Sequence, residues 1–196
     1  MNRAFVFSAV SAFVAGLVAV AWVAWGYAGG SGHGLALATT ALIAAGYVAG
    51  GWELRRFHAA THSLQRALAA LPAELPQLAD WLQQLHPSLR NAVRQRVESE
   101  RAALPGPALT PYLVGLLVLL GMLGTFLGMV VTLNGAVLAL ESTTDLATIR
   151  AALAAPVKGL GLAFGTSVAG VAASAMLGLV STLCRRERLR AVQALD

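Results

Sequence analysis

Four long apolar runs alternate with polar segments along this chain, and each run is long enough to cross a membrane. The runs cover residues 5–27, 35–54, 111–140 and 157–184. A hydrocarbon core about 30 Å thick needs about 20 apolar residues in a helix, so each run predicts a transmembrane helix. The last two exceed that length and are expected to tilt or to project beyond the bilayer. Trp22, Trp25 and Tyr27 close the first run and predict an interfacial aromatic belt.

Small and hydroxyl-bearing residues form a stripe along one face of the third and fourth predicted helices. The first stripe has helical spacing and consists of Gly121, Thr125, Gly128, Thr132 and Gly135. The second stripe consists of Ala163, Ser167, Gly170, Ser174, Gly178 and Ser181, with Thr166 one position beside it. Because leucine would suit lipid better, both faces are expected to contact something other than lipid.

Two interpretations of the stripes remain open. Small residues four apart let helix backbones pack closely, and for any single glycine this is the simpler explanation. The residues assigned to helix packing are Gly121, Gly124, Gly128, Gly161, Gly165 and Gly170. Gly46 and Gly50 of the second span show the same spacing with no line of hydroxyls, so packing explains them as well. The alternative is that the two stripes line a cavity that receives another helix or an ion.

The polar segment between the second and third runs predicts a broken helical insertion. Its alanine- and leucine-rich start continues the second helix until Pro72 and Pro76 interrupt it. A short helix is expected at 77–85, and Ser88 is a candidate cap for a last helix that ends before the PGP at 105–107. Nothing in the chain resembles a β-hairpin, so no sheet is predicted.

The remaining polar segments complete an all-α prediction. The loop 141–156 predicts a short surface helix, after which Pro156 opens the fourth span, where its missing N–H is tolerated. The last segment begins like a helix and has no stop signal, which leaves open whether the tail is truncated. The predicted parts are helices 1 and 2 in 1–54, a cytoplasmic helical insertion in 55–110, helices 3 and 4 in 111–184, and the start of a cytoplasmic tail in 185–196.

Composition and charge distribution support a polytopic membrane protein. Hydrophobic residues make up 57% of the 196 residues and charged residues only 12%, about half the share of a soluble domain. One basic residue precedes the first run, seven lie between the second and third, four follow the fourth, and the other two are Arg150, before the fourth run, and Lys158, at its outer end. The positive-inside rule therefore predicts that both termini and the insertion are cytoplasmic. Since the net charge of +5 follows this pattern, no nucleic-acid partner is expected.

Few residues of the chain could act in catalysis, proton transfer or metal binding. No Asp, Glu, Lys, Arg or His lies deep in any predicted span, whereas pumps and proton channels usually keep an ionisable residue there. Glu53 and Lys158 stand at span ends. His58 and His62 have a spacing that could bind a metal on a helix, but no carboxylate or cysteine accompanies them nearby, so solvated surface residues are the preferred explanation. No catalytic residue, cofactor or metal site is predicted, and the single Cys184 allows no intrachain disulfide.

The third and fourth spans resemble a known family. GMLGTFLGMV in the third and GLGLAFGTSVAG in the fourth are similar to the two membrane segments of the MotA/TolQ/ExbB proton-channel family. The similarity covers about 113–183 together with the preceding insertion. Four spans with an insertion between the second and third resemble the flagellar stator (MotA-like) layout. The short insertion also resembles the corresponding subunit of Zorya-type anti-phage systems.

The resemblance implies an assembly and an ion pathway in the bacterial inner membrane. In the family, five such subunits surround two copies of a single-span partner (MotB-, ExbD- or TolR-like) whose membrane aspartate binds the proton. By motif position, Thr125 corresponds to the pore threonine of the first segment, and Ser167, with Thr166, to the hydroxyl of the second. Val118 stands where many members of the family have a proline. ExbB-type members have a glutamate early in the last span, at about the position of Leu162 in this chain. The expected pore-lining residues are Thr125, Thr132, Thr166, Ser167 and Ser174.

The leading interpretation is a proton-channel and rotor subunit of a motor driven by the proton-motive force. It is expected to form a pentamer around a dimeric, aspartate-bearing partner and to contact membrane lipids. The main alternative is a structural scaffolding protein whose small residues serve only packing. A transporter acting alone would need an internal repeat or broken helices, and an enzyme would need a polar cluster. The sequence contains neither feature.

Overall fold

The computed structural model describes residues 3–29, 34–69, 83–99, 106–141 and 146–193. Helices account for nearly all of these residues, and no strand occurs among them. The helices are α1 (Arg3–Ala28), α2 (Gly34–Ala69), α3 (Pro87–Ser99), α4 (Thr110–Glu141) and α5 (Leu146–Gln193). The prediction of an all-α fold is confirmed for this part of the chain.

Four of the helices are long and apolar enough to cross a membrane, as the hydrophobic pattern predicts. Their candidate spans are Val6–Ala28, Gly34–Leu68, Thr110–Glu141 and Gly159–Gln193. Large apolar side chains on their outer faces, such as Trp22, Phe126 and Val171, remain exposed in the single chain. Contiguous apolar surface of this kind is typical of helices covered by lipid or by another protein. The four helices therefore indicate a membrane protein.

The long helices form an up-and-down bundle in which α5 contacts each of the other three. Gly16 of α1 lies against Met176 of α5, and Tyr27 lies against Gly165, so α1 and α5 are antiparallel. α4 is also antiparallel to α5, whereas α2 runs parallel to it. As a result, the start of α1, the later part of α2, α3 and the end of α5 share one end of the bundle. The cytoplasmic location of that end stays a prediction from the charge distribution.

The main core lies between α1, α2 and α5, together with Leu117 of α4, and contains Tyr47. This residue is fully buried, its hydroxyl donates to the Phe13 carbonyl oxygen at 3.0 Å, and its ring stacks on the Phe13 ring at 4.8 Å between centroids. Glycines make room for both rings. A Cβ on Gly16 would overlap the Tyr47 phenol, and one on Gly51 would overlap the Phe13 ring.

Gly46 and Gly50 lie where the packing interpretation expects them. A Cβ on Gly46 would stand 3.3 Å from the side chain of Leu117, and one on Gly50 would stand 2.6 Å from that of Leu177. These leucines belong to α4 and α5. The glycine face of α2 therefore packs against both helices.

Tyr27 does not belong to the aromatic belt. It is 2% exposed, and its hydroxyl occupies the space that a side chain on Gly165 would need. Trp22 and Trp25 are 73% and 82% exposed, and their place in an interfacial belt stays a prediction. The prediction for Tyr27 is wrong because the missing side chain on Gly165 leaves room for the phenol inside the bundle.

A second, smaller core lies beyond the apolar spans. α2 has 36 residues and α5 has 48, which at a rise of about 1.5 Å per residue gives about 54 and 72 Å, well beyond a hydrocarbon core of about 30 Å. The extended parts of both helices pack with α3 and with Leu85 just before it. The buried residues of this core are Ala60, Leu64, Ala67, Leu85, Leu89, Val93 and Ala191.

Arg188 joins α5 to α2 beside this second core. Its side chain is 6% exposed; Nε donates to the Thr61 hydroxyl at 3.0 Å, and Nη2 donates to the Phe57 carbonyl oxygen at 3.1 Å. The guanidinium carbon also lies 3.5 Å from the centroid of the Phe57 ring. Because a planar guanidinium can donate in its plane and stack on an aromatic face at once, arginine suits this place better than lysine.

Glu53 connects α2 to the start of α4. Its Oε1 accepts hydrogen bonds from the backbone N–H groups of Ala108 and Leu109, both at 2.9 Å, and its Oε2 accepts one from the Thr110 hydroxyl. N–H groups at and just before a helix start have no partner within the helix, and the positive end of the helix dipole favours a carboxylate. Glu53 therefore caps α4 from a different helix.

The predicted role of Pro156 as the start of the fourth helix is wrong, although the candidate span itself begins close to the predicted position, at Gly159. α5 begins at Leu146 and runs through Pro156, so this proline lies inside a helix and does not open it. The described part of the segment 141–156 continues directly into the span. Alanine and leucine on both sides of the proline are strong helix formers, and together they extend the helix across a residue that removes one backbone hydrogen bond.

The predicted cap of the insertion's last helix is also wrong. α3 begins at Pro87, a residue type that suits the first helical position because its missing N–H would have no partner there. The Leu89 N–H bonds the His86 carbonyl oxygen at 2.9 Å, and the Ser88 N–H lies 3.4 Å from His86 Nδ1. His86 therefore occupies the cap position that was expected for Ser88.

Three predicted features of the insertion lie outside the described residues. They are the interruption at Pro72 and Pro76, most of the short helix at 77–85, and the end of the last helix before 105–107.

Candidate functional site: the seam between α4 and α5

The two stripes of small residues face each other along the contact between α4 and α5, which we call the seam. Its members are Gly121, Gly124, Thr125, Gly128 and Thr132 of α4 and Gly159, Ala163, Thr166, Ser167, Gly170 and Ser174 of α5. At the closest approach, a Cβ on Gly170 would lie 2.8 Å from Gly121 Cα, and one on Gly121 would lie 3.1 Å from Gly170 Cα. The two backbones are therefore in direct contact at this point.

The other glycines assigned to packing have different neighbours. A Cβ on Gly124 would stand 2.8 Å from Thr166 Oγ1, and one on Gly128 would stand 3.0 Å from Ala163 Cβ. Gly165 faces Tyr27 of α1 and not the seam. Gly161 is exposed, and within the part of the chain that the structure describes no heavy atom lies within 4 Å of a Cβ placed there.

Thr125 and Thr166 form the polar centre of the seam. Thr125 Oγ1 lies 3.1 Å from the carbonyl oxygens of both Gly121 and Ala163 and 3.4 Å from Thr166 Oγ1. Thr166 Oγ1 lies 2.9 Å from the Ala163 oxygen and 3.3 Å from the Gly121 oxygen. Since each hydroxyl has one proton, the two threonines share these two carbonyls and keep lone pairs that can accept further hydrogen bonds.

The seam has an inner side and an open edge. Thr166 is 0% exposed and lies under Gly124, whose missing side chain also brings Thr39 of α2 close. Thr125 and Ser167 are half-buried. Among the described residues the Ser167 hydroxyl forms no hydrogen bond. A molecule outside the chain could therefore reach the hydroxyls of Thr125 and Ser167, and also that of Thr132, which is half-buried as well.

Two further hydroxyls predicted to line a pore are bonded within the chain. Thr132 donates to the Gly128 carbonyl oxygen of its own helix at 2.7 Å, and its side chain fills the space beside Gly159. Ser174 is 6% exposed and donates across the seam to the Val114 carbonyl oxygen at 2.8 Å. These hydroxyls contribute to packing in the single chain, whatever else they do in an assembly.

The seam contains groups that form hydrogen bonds, but none of its side chains carries a charge. Its side chains are hydroxyls and methyls, which do not ionise near neutral pH. The sequence has no Asp, Glu, Lys, Arg or His in 6–28, 34–52, 110–140 or 159–184. These five residue types, which usually mark proton pathways in membrane proteins, are therefore absent from these four segments.

Sequence reasoning did not find the contribution of α1 and α2 to the seam's surroundings. Thr39 is one of two adjacent threonines in an apolar run, which was a detectable signal, although its hydroxyl bonds the Leu35 and Ala36 carbonyl oxygens of its own helix. Tyr27 gave no such signal, because a tyrosine at the end of a span is equally typical of an interfacial belt.

The two histidines considered as metal ligands lie elsewhere, on the extended part of α2. His58 Nδ1 lies 3.3 Å from Glu187 Oε2, and His62 Nδ1 accepts a hydrogen bond from Arg66 Nε at 3.1 Å. Each imidazole already has a protein partner, and the two partners belong to different helices.

The chain was compared with protein families, curated proteins and solved structures. No family model, curated protein or solved structure matches this chain.

Proposed function

We propose that this chain is the channel and rotor subunit of a membrane motor driven by the proton-motive force, acting with a single-span partner that carries an aspartate in the membrane. The subunit assembles as a ring, expected to contain five copies, around two copies of the partner in the bacterial inner membrane. The family resemblance of the third and fourth spans provides the starting point for this proposal.

The seam is the observation that carries the proposal. It contains two half-buried hydroxyl residues, Thr125 and Ser167, within the apolar parts of α4 and α5, and no Asp, Glu, Lys, Arg or His lies deep in any of the four apolar runs. Hydroxyls at this depth can solvate a carboxyl group in either protonation state, because they donate to a carboxylate and accept from a carboxylic acid. The chain thus offers polar contacts for a titrating group but lacks the group itself.

The proposed mechanism assigns separate roles to the two proteins. The partner's aspartate takes up a proton from the side of higher proton potential and releases it to the other side. Thr125 and Ser167 hydrogen-bond to this carboxyl group, and Thr166 holds Thr125 in place from inside the seam. Since the two protonation states favour different hydrogen bonds, each cycle biases the ring to move by one subunit relative to the partner.

Proton flux through reconstituted complexes tests the proposal. The chain is co-purified with a candidate partner, a single-span protein with an aspartate in its transmembrane helix, and placed in vesicles with an imposed proton gradient. A hydrogen bond to a charged group contributes about 1.5–3 kcal/mol, so Thr125→Val combined with Ser167→Ala is expected to reduce the flux at least about tenfold. Mass photometry of the same complexes is expected to give five copies of this chain.

A matched pair of hydroxyls on the outer surface provides the control. Ser11 and Thr182 are exposed, and each bonds a carbonyl oxygen of its own helix. Ser11→Ala combined with Thr182→Val should leave the flux unchanged. Equal flux in both double variants and the unmodified complex would remove Thr125 and Ser167 from the pathway.

A structural scaffold is the second candidate, and one observation favours it. Most of the small and hydroxyl residues in the stripes are used in contacts between α4 and α5 of the same chain. A scaffold predicts a complex that conducts no protons and tolerates Thr125→Ala without loss of its cellular role. The same flux measurement therefore separates the two candidates.

A further inference from the structure

A groove away from the seam combines an apolar wall with a basic rim. It has a volume of about 550 Å³ and lies between α1, α2 and α5. Cavities of about 300–1,000 Å³ are typical of sites that hold small organic ligands. The groove is separate from the seam, because none of its lining residues belongs to α4.

The apolar wall comes mainly from the first half of α1. Val6, Val10, Val14 and Leu17 recur at helical spacing along the groove. Phe13 contributes its ring, which is fixed by the stack on Tyr47. This wall lies within the candidate membrane span of α1, so a hydrocarbon chain suits it better than a water-soluble ligand.

The basic rim comes from the part of α2 that follows its apolar run. Arg55, His58, His62 and Arg66 line the groove at offsets of 0, 3, 7 and 11, which places them on one helical face. Arg55 is exposed and has no hydrogen bond or ion pair with any described residue. Arg66 donates to His62 at 3.1 Å, which folds its side chain back toward Arg55.

The charge at this rim is not balanced by acidic groups. Among the described residues, no Asp or Glu lines the groove, and Glu187 of α5 lies next to it, paired with His58 at 3.3 Å. Glu53 points away, toward the start of α4. Within the part of the chain that the structure describes, two arginines therefore stand at the mouth of an apolar groove beside one carboxylate, which is already engaged.

The geometry points to a binding site for one anionic phospholipid per subunit. An acyl chain lies along the wall formed by Val10, Val14 and Phe13, and the headgroup phosphate binds Arg55 and Arg66. Basic pockets between transmembrane helices are typical sites for anionic lipid headgroups. Since α1, α2 and α5 all line the groove, the bound lipid joins the three helices at the end of the bundle where the second core begins.

Native mass spectrometry of the purified full chain in detergent tests this site. Phosphatidylglycerol is expected to bind as one resolved adduct per subunit, more tightly than phosphatidylcholine of the same chain length. An arginine near a membrane surface contributes enough to anionic-lipid binding for Arg55→Gln and Arg66→Gln each to weaken it about fivefold, and the double variant about 25-fold. Equal binding of the two lipids would overturn the proposal.

Matched variants separate the site from general surface charge. Arg56 follows Arg55 but lies over the Trp52 ring, 4.4 Å from its centroid, and does not line the groove. Arg56→Gln should leave the affinity for phosphatidylglycerol unchanged. An effect of Arg56→Gln equal to that of Arg55→Gln would show that net charge alone governs binding and would overturn the site.

The apolar wall is tested independently of charge. Val10→Trp fills the groove and should remove the phosphatidylglycerol adduct, whereas Val18→Trp, on an exposed position of α1 outside the groove, should keep it. Glycerol 3-phosphate, which lacks acyl chains, should not compete at millimolar concentration. Competition by this compound would show a site for a free phosphate and would contradict the assignment to a lipid.

Discussion

Replacing Gly170 by alanine adds a single methyl group, yet it should clearly lower the stability of the helix bundle. In Gly170→Ala, the added methyl would point at the backbone of α4, 2.8 Å from Gly121 Cα and 2.5 Å from the Leu117 carbonyl oxygen. Carbon atoms in contact prefer about 3.5–4.0 Å, so the helices must separate by about 1 Å. Backbone atoms cannot turn aside as a flexible side chain does.

The magnitude follows from two costs and one gain. Forcing an extra methyl into a packed interface costs about 1–3 kcal/mol. A separation of about 1 Å also weakens three hydrogen bonds across the seam, from Thr125, Thr166 and Ser174, each about 0.6 kcal/mol in a membrane bundle. Alanine recovers up to about 1 kcal/mol through its higher helix propensity. Gly170→Ala is therefore expected to lower the free energy of unfolding by about 2–3 kcal/mol.

Gly178→Ala provides the matched control on the same stripe of the same helix. A Cβ there would stand 3.9 Å from the Val114 side chain, which is ordinary contact. Both variants are compared with the unmodified chain by titration with sodium dodecyl sulfate in mixed micelles, with helix content followed by circular dichroism. We expect Gly178→Ala to match or exceed the unmodified chain in stability.

Two results would refute this reasoning. If Gly170→Ala unfolds at the same detergent fraction as the unmodified chain, α4 and α5 do not touch at this point. If Gly178→Ala is equally destabilising, the loss reflects any added volume on this face and not the backbone contact between Gly121 and Gly170.

Two further predictions concern the contacts that hold distant segments together. Glu53→Ala leaves the N–H groups at the start of α4 without their cap and should cost about 1–2 kcal/mol of unfolding free energy. Glu53→Gln keeps one acceptor oxygen and should cost less. Equal losses for the two variants in the same detergent titration would contradict a capping role. Arg188→Ala removes the bonds to Thr61 and Phe57 and should lower the free energy of unfolding by about 2–3 kcal/mol. Arg190→Ala, on the exposed side of α5, should change it by no more than about 0.5 kcal/mol. Similar values for both variants would show that the buried guanidinium is not a structural link.

The pattern of apolar residues was sufficient to predict the four long helices and their approximate bounds. Each run satisfies its backbone hydrogen bonds within itself, so its conformation depends on local sequence and on an apolar surrounding. The small stripes also predicted that α4 and α5 meet something other than lipid. The sequence could not decide between a neighbouring helix and a cavity, because both accept the same residue types.

Local signals failed where two of them competed. Pro156 is typical of a helix start, yet helix formers on both sides extend α5 across it. Ser88 is a good capping residue, but Pro87 precedes it and the helix begins there. In each case the sequence contained the deciding residues, and their relative strength depended on the surrounding chain.

By itself, the sequence determined that this protein has four apolar helices, that two of them carry stripes of small residues, and that no Asp, Glu, Lys, Arg or His lies deep in any of the four runs. Only the tertiary structure decided that the stripes face each other in one chain, that Tyr27 lies inside the bundle, and that Glu53 and Arg188 join distant segments. Helix formation depends on neighbours a few residues apart. These contacts join residues up to 131 positions apart, so they depend on which surfaces fit together once the helices have formed.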